Sequence, residues 1–120
     1  IHPAYGIYAA WVQVVGEDGT LSPWHMSATN IGIRPMFKVP TGQVEAHILD
    51  FNEDVYDRTL RVRPVRLLRG EARFETLKAL VAQIERDCAA AKDILKNTAP
   101  SAAKGGAKQI KNGGFFEPEG

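Results

Sequence analysis

Val44-Glu45-Ala46-His47-Ile48-Leu49-Asp50-Phe51 alternates between two faces. Val44, Ala46 and Ile48 fall on one side, and Glu45, His47, Leu49 and Phe51 on the other, which is the period of a half-buried strand. No helical stretch borders it. Before it, residues 6–15 alternate and are rich in Tyr, Val, Ile and Trp, the composition of a second strand. Glu17-Asp18-Gly19 is a hairpin-turn signal, and residues 21–30, with Trp24, His25 and Met26, form the return strand. Residues 32–40 read as irregular, because Pro35 and Pro40 each restrict their neighbours. After it comes a polar connection over 53–58. Residues 59–68 then resume the alternation with Leu60, Val62, Val65 and Leu67, and Pro64 within that run predicts an edge or a bulge. Strand follows strand without an intervening helix, so parallel βαβ architecture is excluded. A small antiparallel barrel or sandwich is predicted.

The period then changes. Leu77, Leu80, Val81, Ile84, Cys88, Ala91 and Leu95 recur at helical spacing and predict one amphipathic helix, capped by Thr76 and ended by Asn97 and Pro100. From Ser101 onward Ala, Lys and Gly dominate and no period survives. The expected organisation is a barrel plus helix over 1–97 and a flexible tail over 98–120, with Phe115 and Phe116 free to dock locally.

At 120 residues the chain is one domain at most. A formal charge of +1 lacks the basic excess of a nucleic-acid-binding face. No apolar run approaches the roughly 20 residues that span a bilayer, so neither nucleic acid nor membrane is expected as a partner. Cys88 is the single cysteine and cannot form an internal disulfide, which fits a reducing, cytoplasmic compartment. The first residue is Ile1, the expected mark of a processed chain or a piece of a longer one.

The candidate chemistry lies in three places. Glu45 and His47 share a strand face with Leu49 and Phe51, and a carboxylate beside apolar neighbours suits a general base. The same pair also fits the wetter side of a barrel strand. Asn30-Ile31-Gly32-Ile33-Arg34-Pro35-Met36-Phe37 reads either as a loop that approaches phosphates, through glycine backbone and an arginine fork, or as an ordinary turn. It is not a P-loop. Arg66, Arg69, Glu71 and Arg73 form a charged strand–helix junction, either contacting a ligand or merely solvated. His2, His25 and His47 lack metal-ligand spacing, and Cys88 lies on the apolar helix face, so no metal site is expected. Ser22, Ser27 and Ser101 lack a nucleophile-elbow context. Trp11 and Trp24 read as core.

In order, these pieces resemble the riboflavin kinase (flavokinase) family, whose bacterial members include the C-terminal module of bifunctional riboflavin kinase/FAD synthetase. The matching stretches begin with Pro3-Ala4-Tyr5-Gly6-Ile7-Tyr8-Ala9, Ala28 to Phe37, and Val44 to Phe51. They continue through Asp54-Val55-Tyr56, Leu67-Leu68-Arg69-Gly70-Glu71-Ala72-Arg73-Phe74, and Leu80-Val81-Ala82-Gln83-Ile84-Glu85-Arg86-Asp87. The resemblance implies a mainly β fold, an antiparallel Greek-key barrel with one long C-terminal helix. It implies transfer of the γ-phosphoryl of ATP to the 5′-hydroxyl of riboflavin, giving FMN and ADP, with Mg²⁺ and ATP as co-substrate. Glu45 matches the family's catalytic base. Asn30, Gly32, Arg34, Pro35 and Phe37 match the nucleotide side, and Arg69, Glu71 and Phe74 the flavin side. An N-terminal nucleotidyltransferase domain is implied for the parent protein.

Two departures accompany the match. The family's Pro-Thr-Ala-Asn motif, which holds Mg²⁺–ATP, does not occur in this chain, and the acidic-aromatic-glycine turn reads Asp54-Val55-Tyr56-Asp57. The resemblance therefore implies a barrel without its first strand. The edge so exposed invites pairing with another chain or with the tail. A riboflavin kinase fragment that turns over negligibly by itself is the first reading. A non-catalytic flavin- or nucleotide-binding or interaction module is the second, and a barrel unrelated to flavins the third.

Overall fold

The computed structural model describes residues 5–36, 39–102, 107–113 and 115–116, with backbone alone at 33–36, 39–42, 102, 115 and 116. The frame is four long strands, β1 (Gly6–Val14), β2 (His25–Met36), β3 (Val39–Ile48) and β4 (Thr59–Arg69). β1, β2 and β3 pair antiparallel in succession, and β4 returns to lie antiparallel beside β1. The spatial order β4-β1-β2-β3 is a Greek key. Helix α1 (Leu77–Leu95) follows, and after it two short strands, β5 (Lys108–Lys111) and β6 (Phe115–Phe116). The architecture is mainly β, a curled antiparallel sheet in the form of a half-barrel with one long helix, and of the barrel and sandwich that the alternation allows it is consistent with the barrel.

β1 is buried along its whole length because both of its faces are covered. Its inward side chains Ala10, Val12 and Val14 pack with Ala46, Val55, Leu60 and Val62 inside the curled sheet. Its outward Ile7, Ala9 and Trp11 pack with Ala28 beneath Ala91 and Leu95 of α1. Trp11 is a core residue whose indole Nε1 donates to Thr98 O at 2.9 Å. Trp24 lies partly buried beside it, with the Arg61 and Arg63 guanidinium groups 5.7 and 5.2 Å from its ring centroid.

The predicted turn forms, with Asp18 Oδ1 accepting from Thr20 N and Oγ1 (3.1 and 2.7 Å) and Gly19 at φ 86°. The return strand begins at His25, later than the expected residue 21. Pro23 has no N–H for a ladder, and Ser22 Oγ has already taken the Val14 N–H (2.8 Å). Residues 32–40 are not irregular where described: β2 and β3 stay in register to Met36 opposite Val39, with Pro35 facing Pro40. Among the described residues β1 pairs with β2 only as far as Ile31, so Pro35 removes no described ladder bond on that side. Pro64 sits at a register shift, as expected of a bulge: Ala9 faces Arg66 but Ala10 faces Pro64.

The tail carries more order than its composition suggests, and Phe115 and Phe116 dock as the sequence allowed. Residues expected to carry no regular element supply β5, which pairs with β4, and β6, which pairs with β3. These are the two edges of the four-stranded frame, and one short segment engages both. Asn112, between β5 and β6 and 4% exposed, fastens it. Its Oδ1 accepts from Ala46 N (2.8 Å), its Nδ2 donates to Val55 O (3.1 Å), and its backbone bonds to residues 57 and 58. Gly113, at φ 79°, donates to Val44 O.

Thr76 caps α1 as predicted, its hydroxyl accepting from Ala79 N at 3.1 Å. The apolar stripe is buried only in its second half. Ala91 and Leu95 are sealed against the sheet, whereas Leu77 and Val81 are 74% and 45% exposed. α1 therefore leans on the sheet with its C-terminal half, and its N-terminal half stands over a gap.

Candidate functional site

That gap is the candidate site. Strand register sets Arg69 opposite Ile7, Ile7 opposite Asn30, and Asn30 opposite Glu45. One residue from each of four strands thus lies in a single cross-strand row on the sheet's outer face. His47 lies in the adjacent row, opposite Ala28. Val44 and Ala46 point the other way into the core, as the alternation predicts. Phe51 does not extend the Glu45/His47 face: β3 ends at Ile48, Asp50 takes φ 53°, and Phe51 turns back onto the inner core. It also meets the His25 ring edge-on at 5.0 Å.

The row faces Leu80, Ile84 and Asp87 of α1 across a hollow of about 670 Å³, a volume suited to a small organic ligand. The segment between β4 and α1 completes the lining with Glu71, Ala72, Arg73 and Phe74. The floor is polar at Glu45, His47 and Asn30. The helix side is apolar except for Asp87.

Glu45 Oε1 lies 3.7 Å from His47 Nε2, and both side chains are partly open to the hollow. Asn30 Oδ1 is buried and has no hydrogen-bond partner. A buried acceptor left without a donor carries a desolvation penalty, and a bound donor would remove it. Arg69 forks onto Asp87, with Nε to Oδ1 at 2.9 Å and Nη2 to Oδ2 at 2.7 Å. Its guanidinium also lies 5.8 Å from the Phe74 ring centroid. Burial pushes the Asp87 carboxyl up, but the bonds from Arg69 and Gln83 and the charges of Arg69 and Arg86 outweigh it. The carboxyl is held below its ordinary value.

The structure gathers Arg69, Glu71 and Phe74, expected on the flavin side, around the same hollow as Glu45. Of the residues expected on the nucleotide side, Asn30 is the one whose described side chain lines it. Gly32 is buried in β2 opposite Gln43, and Arg34 and Pro35 lie further along β2, opposite Thr41 and Pro40. Phe37 and His2 lie outside the described residues. Arg66 leaves the junction cluster and is exposed beside Asp93 and Asn97. Cys88 packs against the outer core, and burial pushes its thiol up. Among the described residues no three of His, Cys, Asp and Glu come together as metal ligands. No described helix is long and apolar enough to cross a membrane.

Two residues escaped the sequence reading. Asp87 had a local signal, since it stands inside the apolar stripe between Ile84 and Ala91, where an unpaired carboxylate would be costly. Asn112 had none, because its partners lie 66 and 57 residues away.

A curled Greek-key sheet with a helix leaning on its outer face, and with a carboxylate, a carboxamide and a guanidinium in one row beneath that helix, defines a mainly β, barrel-like module with a candidate pocket. The riboflavin kinase (flavokinase) family model matches residues 1–95. The bifunctional riboflavin kinase/FMN adenylyltransferase of Escherichia coli K12 is 35% identical over 101 residues, covering 84% of this chain and 31% of that protein. The Pseudomonas fluorescens protein of the same name is 39% identical over 101 residues, covering 83% and 30%. Human riboflavin kinase is 35% identical over 92 residues, covering 76% and 56%. No solved structure matches. The chain belongs to the riboflavin kinase family, and it spans under a third of the length of these bacterial relatives.

Proposed function

We propose that the hollow is the acceptor site of a riboflavin kinase, which transfers the γ-phosphoryl of ATP to the 5′-hydroxyl of riboflavin. The observation that carries this reading is the pairing of Asn30 with Glu45: a buried, unpartnered carboxamide oxygen directly across two strands from an open carboxylate. Both accept hydrogen bonds, and a ribityl chain offers hydroxyl donors. The apolar side chains Ile7, Leu80 and Ile84, with the Phe74 ring, suit a flat isoalloxazine.

In this reading Glu45 receives the proton of the 5′-hydroxyl as its oxygen bonds to the γ-phosphorus. The bond from that phosphorus to the bridging oxygen breaks and ADP leaves. Asn30 orients the chain, and Arg69 with Phe74 holds the ring end. The β2 segment with Gly32, Arg34, Pro35 and Phe37 is assigned to the nucleotide. The described side chains do not fit a resident Mg²⁺: Asp87 is spent on Arg69 and Gln83, and no three of the described His, Cys, Asp and Glu side chains come together as metal ligands. This chain's contribution is therefore binding, orientation and the proton. The shortage of metal-holding oxygens favours a second reading, a flavin-binding module without catalysis. A longer parent that also carries an FMN adenylyltransferase region, working in the cytoplasm, completes the proposal.

Riboflavin titrated with the chain is expected to lose fluorescence saturably. Absence of quenching at high micromolar protein would overturn both readings. FMN formed on adding Mg²⁺ and ATP, in the natural protein that contains this chain, separates the kinase from the binding module.

A further inference from the structure

Asp87 is a nearly buried carboxylate on a helix face otherwise given to Ile84, Cys88 and Ala91. Such a group is tolerated only where its charge is met. Arg69 meets it with a two-pronged fork, and Gln83 Nε2 donates to the same Oδ1 at 3.0 Å. The remaining arm of Arg69, Nη1, donates to Gly70 O at 3.0 Å, and the face of the guanidinium lies against Phe74. One guanidinium therefore ties three things together: the helix, the first carbonyl after β4, and the ring that ends the strap over residues 70–74. That strap is neither helix nor strand, yet four of its residues, Glu71 to Phe74, line the hollow together with Leu80 and Ile84.

We propose that Asp87, braced by Gln83, is a positioning residue that fixes Arg69 and so holds the 70–74 strap, with Phe74, in place over the acceptor pocket. Although it borders the hollow, its carboxylate oxygens are engaged by Arg69 and Gln83, and it acts through Arg69. A fork requires a planar guanidinium and a full carboxylate, so neither lysine at 69 nor asparagine at 87 can reproduce it. The role as a pocket device rests on the flavin reading, whereas the bracing of the strap does not.

The test uses Asp87→Asn and, as a milder change that leaves the ion pair in place, Gln83→Leu. Trypsin reports the strap directly, because Arg69 and Arg73 bound it. Cleavage after Arg73 is expected to rise about tenfold in Asp87→Asn and less in Gln83→Leu, with cleavage at Lys108 and Lys111 unchanged. Riboflavin affinity, read by fluorescence quenching, is expected to fall about tenfold in Asp87→Asn, while affinity for ATP in the natural protein stays within twofold. Unchanged cleavage at Arg73 in folded variants overturns the proposal. A uniform rise at all sites assigns Asp87 to general stability and also overturns it. Faster cleavage at Arg73 with wild-type protein that never binds riboflavin would retain the brace and remove the flavin reading instead. If Asp87→Asn does not fold, equal strap cleavage in Gln83→Leu and wild type overturns the proposal.

Discussion

Replacing Asn112 with alanine is expected to cost this fold a large share of its stability. The side chain satisfies two buried backbone groups, the Ala46 N–H at 2.8 Å and the Val55 carbonyl at 3.1 Å. Ala46 is 5% exposed and Val55 9%, so water does not readily replace the carboxamide. Alanine keeps the backbone bonds of residue 112 to Asp57 and Arg58 and of Gly113 to Val44, so the loss is confined to the side chain. Each stranded buried group is worth about 1–3 kcal/mol, which gives about 2–6 kcal/mol for the pair. Domains of this size have total stabilities of about 5–15 kcal/mol, so the change is a substantial fraction. In thermal unfolding it corresponds to a midpoint lowered by about 10–20 °C. Urea unfolding should give the same free-energy loss with an unchanged m-value, and the Ala46 amide should exchange faster than its neighbours in native-state hydrogen exchange. A midpoint within about 3 °C of wild type, with Ala46 still protected, would refute the view that residues 108–116 fasten the two sheet edges together.

The remaining predictions concern the same closure and the helix contact. Gly113→Ala places a Cβ at φ 79° and against the ring of Tyr56. Because Tyr56 is 65% exposed and its ring can swing away, the loss is mainly the left-handed backbone, about 1–2 kcal/mol, and Tyr56→Ala in the same chain recovers little of it. Full rescue by Tyr56→Ala would show that the clash dominates. The folded carboxyl of Asp87 lies below its unfolded value, so its stabilisation is complete above about pH 3.9 and is lost as the pH falls through the lower folded value. The free energy of unfolding between about pH 5 and pH 2 should thus fall more steeply in wild type than in Asp87→Asn. Equal slopes would contradict the assignment.

Much of the fold is written locally. The two-residue alternation of β1, β3 and β4 and the helical period of α1 each reflect one buried face, and both survive in the structure. What failed depended on distant partners. The Pro35 and Pro40 pair looks like a break until the β2–β3 register is seen to carry through it, Pro35 opposite Pro40. Lys108–Lys111 is too short and too charged to show a period, and it becomes a strand only because β4 offers an open edge. Leu77 and Val81 continue the stripe of α1 in sequence, but they are exposed, because the sheet packs only against the second half of the helix. The site shows the same division. Glu45, Arg69 and Phe74 were readable as candidates, whereas their alignment with Asn30 and Ile7 is a property of register between strands.

The central claim is that Glu45 acts on a hydroxyl of a flavin held beneath α1. The most direct measurement is FMN formation by the natural protein containing this chain, compared between wild type and Glu45→Gln, with riboflavin affinity measured on both. The predicted result is a turnover lowered by about 10²–10⁴-fold, as for removal of a general base, with riboflavin affinity changed less than about threefold, since the glutamine still accepts a hydrogen bond. Turnover undiminished in Glu45→Gln would contradict it.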